Sequence, residues 1–360
     1  MEVSKIMEVP MEEKKKKKSM MHWVLLLLNC FALSIGTTAG PLLLKFYFHH
    51  GGKRRWLSAW LETAGFPILI LPLWLAYRRR PDPDCHVTWK LCIASLVLGL
   101  LTGIDDFLYA WGIDYLPVST SSLLISSQLA FNAVFAFLIV RQKFGPYSIN
   151  AVVLLSLGAA MLAFHTSGDR PKGVTKAQYA VGFVVTIGAA ALYGLILPLI
   201  ELMYKRTKRK ITYTLVMEMQ FIMSFAATAF CTVGMAVNKD FQAIGREAKA
   251  SDIGEVGYYM GLVWNALCWQ LFFIGIFGVI SLSNSLLSGI LIAVYIPITE
   301  VLGVVLYHEK FSGEKGMALA LSLWGFVSYL YGEHRTMKKA KKVKEKTPSD
   351  SAEAGLDEAL

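Results

Sequence analysis

Long apolar runs separated by short charged clusters form the pattern along this chain. Ten runs read as candidate membrane spans: 22–44, 57–77, 91–113, 118–140, 148–165, 179–203, 212–237, 257–280, 284–307 and 316–331. A helix needs about 20 mainly apolar residues to cross the hydrocarbon core of a bilayer. Helices are the default for such spans because lipid offers no partners to open backbone groups. The pattern predicts an all-α integral membrane protein with ten transmembrane helices. The first run is too long for the apolar region of a removable signal peptide, and no small-residue cleavage site ends it.

The end of the chain repeats its middle. Val140-Arg141-Gln142-Lys143-Phe144-Gly145 leads into one apolar run, and Tyr307-His308-Glu309-Lys310-Phe311-Ser312 leads into another, with Phe144 and Phe311 lying 167 positions apart. Gly112 pairs with Gly278 at an offset of 166, Pro41 with Pro198 at 157, and Glu62 with Glu218 at 156. Four ordered pairs with small drifts imply two homologous halves of five spans each. Five is odd, so the second half must sit upside down relative to the first. Inverted repeats of this kind are a feature of secondary transporters, whose substrate site lies where the halves meet. The expected organisation is an N-terminal tail (1–19), a first five-helix repeat (20–165), a linking loop (166–178), a second repeat (179–334) and a C-terminal tail (335–360).

Composition agrees with a lipid solvent. Apolar residues make up 55% of the chain and charged residues 17%, against about a quarter charged in soluble domains. An even number of spans puts both Lys-rich tails on one side. Placing them in the cytoplasm assigns 24 of the 36 Lys and Arg residues to that side, as the positive-inside bias requires. The exception is the first outer loop, with Lys45, Lys53, Arg54 and Arg55. The net charge of +10 is thus mainly a topology signal, with anionic membrane lipid as a further partner. Nucleic acid is excluded, because no basic stripe with interleaved aromatics occurs on a soluble segment. The tails are charged and poor in aromatics, and disorder is expected there. The plasma membrane is the expected location, with a monomer or weak dimer as the working unit.

Several chemistries drop out. The five cysteines show no CxxC spacing, and the seven histidines lie at span ends or in loops with no i,i+4 pair. No disulfide framework, metal centre or cofactor is indicated. No GxxxxGK[ST] loop is present, which removes an intrinsic ATP-driven pump, and no enzymatic constellation appears.

What remains is polar chemistry inside the spans. An ionisable group there costs about 2.5–3.5 kcal/mol on insertion scales, so it normally faces a cavity or a partner. Glu62, Asp105, Asp106, Glu218 and Glu300 qualify, while Glu201, near a span end, is expected to snorkel to headgroups. Asp105 and Asp106 point about 100° apart on a helix, so only one should face a cavity squarely; Asp105 shares its face with Tyr109. Two adjacent carboxylates repel when both are ionised, which makes either a candidate proton carrier. Lys and Arg are absent from the middle of every span, which disfavours phosphorylated substrates. Amides (Gln128, Asn132, Gln220, Gln270) and aromatics (Tyr109, Trp111, Tyr193, Trp264, Trp269) suit a small planar heteroaromatic substrate, the amides reading its edge and the rings stacking on its face. Pro41, Pro67, Pro198 and Pro297 mark hinges or kinks.

Several stretches resemble the plant purine permease family of the drug/metabolite transporter superfamily. They are Gly40-Pro41-Leu42, His50-Gly51-Gly52-Lys53-Arg54, Leu61-Glu62-Thr63-Ala64-Gly65-Phe66-Pro67 and Leu116-Pro117-Val118-Ser119-Thr120, followed by Ser127-Gln128-Leu129-Ala130-Phe131, Ile296-Pro297-Ile298-Thr299-Glu300 and His308-Glu309-Lys310-Phe311. The likeness runs from Trp23 to Gly332. It implies ten helices in two inverted halves and proton-coupled uptake of adenine-like bases and cytokinins, with caffeine, pyridoxine or alkaloids in some members. By the same resemblance Asp105 takes the acidic position of the third-helix block and Tyr109 its aromatic one. Asp106 departs from the Asn, and Trp111 from the Tyr, that the resemblance leads one to expect.

The reading is a proton symporter. Glu62 or Asp105 is the expected proton carrier. Gln128, Asn132, Glu218, Gln220 and Gln270 are expected to read the substrate edge, while Tyr109 and Trp269 stack. The alternatives are the same machine carrying an alkaloid or pyridoxine, a membrane receptor that binds such ligands without moving them, and a channel.

Overall fold

The computed structural model describes residues 2–79, 87–117, 120–121, 124–125, 127–142, 144–165, 173–207, 211–307, 313, 316–321, 323–332, 334–335 and 338, with side chains from residue 20 onward except 159–160, 162–165, 297 and 300. Among the described residues the chain is helical, without strands. The helices are α1 (Glu2–His49), α2 (Arg55–Thr63), α3 (Ile70–Arg79), α4 (Trp89–Tyr115), α5 (Gln128–Val140), α6 (Pro146–His165), α7 (Lys176–Arg206), α8 (Tyr213–Val237), α9 (Asp240–Ala250), α10 (Gly254–Leu282), α11 (Ser285–Tyr307) and α12 (Gly316–Gly332). Among the described residues, seven segments are long and apolar enough to cross a membrane: Met20–His49, Arg55–Arg78, Trp89–Tyr115, Lys176–Arg206, Tyr213–Val237, Gly254–Leu282 and Ser285–Tyr307. Shorter apolar helices occupy Gln128–Val140, Pro146–Gly158 and Gly316–Gly332. Part of the expected 118–140 span and most of the second hinge copy, 308–312, lie outside the described residues.

Local signals explain the boundaries. Thr175 and Gln178 form a capping box at the start of α7, each side chain bonding the other's backbone at 3.2 and 2.9 Å. Arg141 adopts a left-handed backbone (φ 53°) that ends α5, and Gln142 N–H closes on the Ala136 carbonyl. The second expected span is broken. Pro67 has no N–H to offer the Thr63 carbonyl, so α2 stops at Thr63 and a 3-10 turn over Phe66–Leu69 leads into α3. Two other prolines, Pro41 in α1 and Pro198 in α7, sit inside continuous helices.

Lipid supplies no hydrophobic drive between helices, so close packing must hold them. Helix α1 lies against α10, and α4 lies between α7 and α8. Small residues set these approaches. A Cβ on Gly36 would stand 2.4 Å from the Phe272 backbone nitrogen, and one on Gly278 would overlap the Asn29 amide. The core between these helices holds Leu33, Leu98, Ile113, Ile196, Leu197, Met223, Phe277 and Ile280.

The four cations that broke the expected charge bias are held locally, Lys53 excepted. Lys45 Nζ donates to the Ile113 and Leu116 carbonyls at 3.3 and 3.1 Å, where α4 ends with unpaired acceptors. Arg55 pairs with Asp114 at 2.7 Å. Arg54 pairs with Glu247 at 3.3 Å and Asp240 at 3.5 Å on α9, an amphipathic helix in a segment expected to be loop. Tyr47 and Tyr258 also donate to Glu247. Lys53 stays exposed.

Candidate functional site

A cavity of about 610 Å³, its open mouth included, lies where the helices of the bundle converge. Its enclosed part is about 60 Å³, well below the range of about 300–1,000 Å³ typical of small-molecule sites, so a purine must widen it on entry. Thr37 and Pro41 come from α1, Glu62 from the last turn of α2, and Asp105, Asp106 and Tyr109 from α4. Gln128 opens α5, and Tyr193 comes from α7. Trp269, Phe272 and Phe273 on α10 and Ile292, Ile296 and Thr299 on α11 close the opposite wall.

The polar wall is rich in unanswered groups. Glu62 Oε1, Asp105 Oδ1, Asp106 Oδ2, Gln128 Nε2 and Trp269 Nε1 are all buried without a hydrogen-bond partner. Buried polar groups are nearly always satisfied, so five such atoms on one cavity mark a place where ligand, proton or water belongs. No Lys, Arg or His lines the cavity among the described residues. Three ionised carboxylates lining one such cavity would strongly oppose one another.

The other wall is aromatic. Tyr109 and Trp269 meet edge to face with centroids 5.8 Å apart, Trp269 and Phe272 at 5.3 Å, and Tyr193 and Phe272 lie tilted at 6.0 Å. Such contacts fix ring positions and leave a π-surface for a flat ligand. Gly40 lets α1 come within contact of the Trp269 indole.

Pro41 leaves a gap in the α1 hydrogen-bond ladder at the cavity wall. Pro41 has no N–H, so the Thr37 carbonyl lacks its usual i+4 donor. Thr299 Oγ1 donates to that carbonyl at 3.3 Å from α11. Thr37, Pro41 and Thr299 all line the cavity, and the Thr299 hydroxyl lies equally close, at 3.3 Å, to the Tyr295 carbonyl of its own helix.

The residues expected from sequence divide into two groups. Asp105, Tyr109, Gln128 and Trp269 line the cavity together with Glu62. Asn132, Glu218, Gln220 and Gln270 are buried behind it. Asn132 Nδ2 donates to the Ser285 carbonyl at 3.0 Å, and Glu218 accepts from the Tyr77 hydroxyl. Gln270 packs on Gly65 at the break after α2. Trp264 is 54% exposed on the outside of the bundle, and Trp111 sits beneath the Arg55 guanidinium at 5.3 Å.

Two expectations need correction. Both Asp105 and Asp106 line the cavity, which runs from α2 on one flank of α4 to α7 on the other and so takes in positions 100° apart. Glu201 does not snorkel. It is 4% exposed, accepts from Ser285 N–H at 2.8 Å and from the Ser285 hydroxyl, and pairs with Lys205 at 2.7 Å. The free N–H groups and positive end of the α11 dipole attract that carboxylate more strongly than the interface does. The placement of Glu300 is not described. Sequence reasoning passed over Thr37, Phe272, Phe273 and Thr299, because hydroxyl and apolar residues within apolar runs carry no distinguishing signal.

A family model described as purine nucleobase transmembrane transport matches residues 24–339. The chain belongs to the purine nucleobase transporter family. Among relatives of this family, Purine permease 3 of Arabidopsis thaliana is 46% identical over 344 residues, covering 93% of this chain and 98% of the relative. Purine permease 2 of Arabidopsis thaliana is 45% identical over 340 residues, covering 89% and 95%. A solved crystal structure shares the fold with a TM-score of 0.59 at 15% identity, covering 87% of this chain and 98% of that one. This purine nucleobase transporter family member is therefore a multi-pass membrane transporter rather than an enzyme.

Proposed function

We propose that this chain is a proton-coupled importer of purine bases and purine-type compounds such as adenine and cytokinins. The observation that carries the reading is the cavity itself: three carboxylates each with a partnerless oxygen, no lining cation among the described residues, and an aromatic wall. Family membership with purine permeases supplies the substrate class. A purine edge offers both ring-nitrogen acceptors and N–H donors. Gln128 Nε2 answers the first and the carboxylates answer the second. Trp269 stacks on the ring and Tyr109, nearly perpendicular to Trp269, meets the ring edge; base–aromatic stacking contributes about 1–3 kcal/mol per base. Glu62 and Asp105 carry the proton, while Asn132, Glu218, Gln220 and Gln270 support the site from behind. A cationic alkaloid on the same scaffold is favoured by one observation, the presence of Asp106 in the cavity.

The machine we propose is two inverted five-helix halves, 20–165 and 179–334, joined by 166–178, with tails at 1–19 and 335–360. Both tails face the cytoplasm from the plasma membrane, and the unit is a monomer or weak dimer. Reciprocal packing supports the repeat. Helix α1, first of its half, lies on α10, third of the other, and α7 lies on α4 in the same relation. Gly278 abuts Asn29 in the first contact and Gly112 abuts Thr186 in the second. Gly112 and Gly278 are repeat mates, and Asn29 and Thr186 are separated by 157 positions, the offset of Pro41 and Pro198.

Coupling fixes the sign of the pH response. A symporter loads its proton outside, so adenine uptake into cells making this protein rises as external pH falls and collapses with a protonophore. Uptake indifferent to both leaves facilitated diffusion as the better account.

A further inference from the structure

Sequence geometry allowed one aspartate of the Asp105–Asp106 pair to face the substrate, and the structure gives the cavity both. Asp106 is 3% exposed and its Oδ2 has no partner. Its surroundings offer no counter-charge among the described residues. On its own helix the neighbours are Asp105 and Tyr109, and across the cavity lie Glu62 on α2 and Tyr193 on α7. On α8 the titratable neighbour is Cys231, whose thiol donates to the Gly103 carbonyl of α4 at 3.8 Å. From α1 the cavity receives only Thr37 and Pro41. The cation of α1 nearest α4, Lys45, is bonded to the end of α4 at Ile113 and Leu116, two turns beyond Asp106.

Three carboxylates in so small a space tolerate ionisation while water fills the cavity and solvates them. A flat apolar-faced ligand expels that water. The desolvated carboxylates must then be neutralised, and with no cation lining the site protons do it. Substrate and protons therefore bind together, and drying three carboxylates calls for more than one proton. We infer that Asp106 carries a second coupling proton, so that each neutral purine enters with two protons rather than one. This rests on the symport reading above and adds to it a stoichiometry and the residue that sets it. Glu62 and Asp105 hold the first proton between them as an acid–carboxylate pair; Asp106, on the face of α4 that carries Gly99 and Gly103 toward α8, takes the second. On return the empty cavity rehydrates and the carboxylates release both protons to the other side.

The thermodynamic ratio of protons to substrate tests this. Purified protein is reconstituted into liposomes with the membrane potential clamped at zero, and labelled adenine is followed to steady state at several imposed pH gradients. Each coupled proton contributes a factor of about ten in accumulation per pH unit. Wild type is expected to reach about 100-fold accumulation per unit, and Asp106→Asn, near in shape but unable to titrate, about tenfold. A wild-type slope of one proton, or a slope of two that survives Asp106→Asn, overturns the inference and leaves single-proton symport standing. No pH-driven accumulation in wild type overturns the symport reading itself. Should Asp106→Asn fail to fold, proton uptake by solubilised wild type on adding adenine in weak buffer decides the matter. Two protons per adenine bound supports the inference, and one overturns it.

Discussion

Glu62→Gln is expected to remove the first coupling proton and cut concentrative uptake sharply while leaving substrate binding nearly intact. The side chain keeps its shape and hydrogen-bonding reach but no longer titrates. Under an imposed gradient of one pH unit, accumulation of labelled adenine should fall by about tenfold, the share of one coupled proton. Binding to the solubilised protein should change by no more than the worth of one neutral hydrogen bond, about 0.5–1.5 kcal/mol. Its repeat mate supplies the comparison. Glu218 lies behind the cavity and accepts from the Tyr77 hydroxyl, a bond that the amide oxygen of Glu218→Gln can still receive. Concentrative uptake should therefore survive in that variant. Wild-type accumulation by Glu62→Gln would remove Glu62 from coupling and return it to a structural role.

The second large effect is on assembly of the bundle. Gly36 faces Phe272 so closely that a Cβ would stand 2.4 Å from the Phe272 nitrogen and Cβ and 2.5 Å from its Cα. Backbone atoms cannot swing aside, so Gly36→Val must push α1 off α10. Overpacking of this kind costs about 1–3 kcal/mol, and more where main chain is struck. The thermal midpoint of the solubilised protein should fall by several degrees, and uptake should be lost because Phe272 also lines the cavity. Gly188, where an added Cβ would meet nothing within 4 Å, holds an exposed position on α7 and is the control. Gly188→Ala should hold or raise the midpoint, since Gly inside a helix costs about 0.5–1 kcal/mol relative to Ala. Equal midpoints for Gly36→Val and wild type would show that the contact between α1 and α10 is looser than its geometry.

These two sites differ in how visible they are in the sequence. Glu62, Asp105 and Asp106 announce themselves because charge within an apolar run is rare and costly. Gly36 does not, because glycine in a span serves kinks, contacts and hinges alike. The same contrast runs through the fold. Hydropathy located the long spans, but it could not foresee that Pro67 would part α2 from α3, since Pro41 and Pro198 stand within unbroken helices. Helix α9 was hidden because its charged face reads as loop until Arg54 is seen to pair with Asp240 and Glu247. Among site residues, Trp269 and Gln128 were legible by chemistry. Phe272 and Thr299 were not, for their roles depend on which face of α10 and α11 meets the cavity. Glu201 shows the reverse failure: position near a span end suggested the interface, whereas the start of α11 holds it inside.

Counterflow in liposomes tests the central claim most directly, that this cavity alternates between the two sides of the membrane with purine bound. Liposomes containing the purified protein are loaded with unlabelled adenine and diluted into a trace of labelled adenine, with no pH gradient. A carrier returns inward loaded with label more often than it leaves with it. A transient internal accumulation above the external concentration is therefore expected, absent from protein-free liposomes. Label that binds without entering would make the protein a receptor. Label that equilibrates without overshoot would make it a channel, and either result would contradict alternating access.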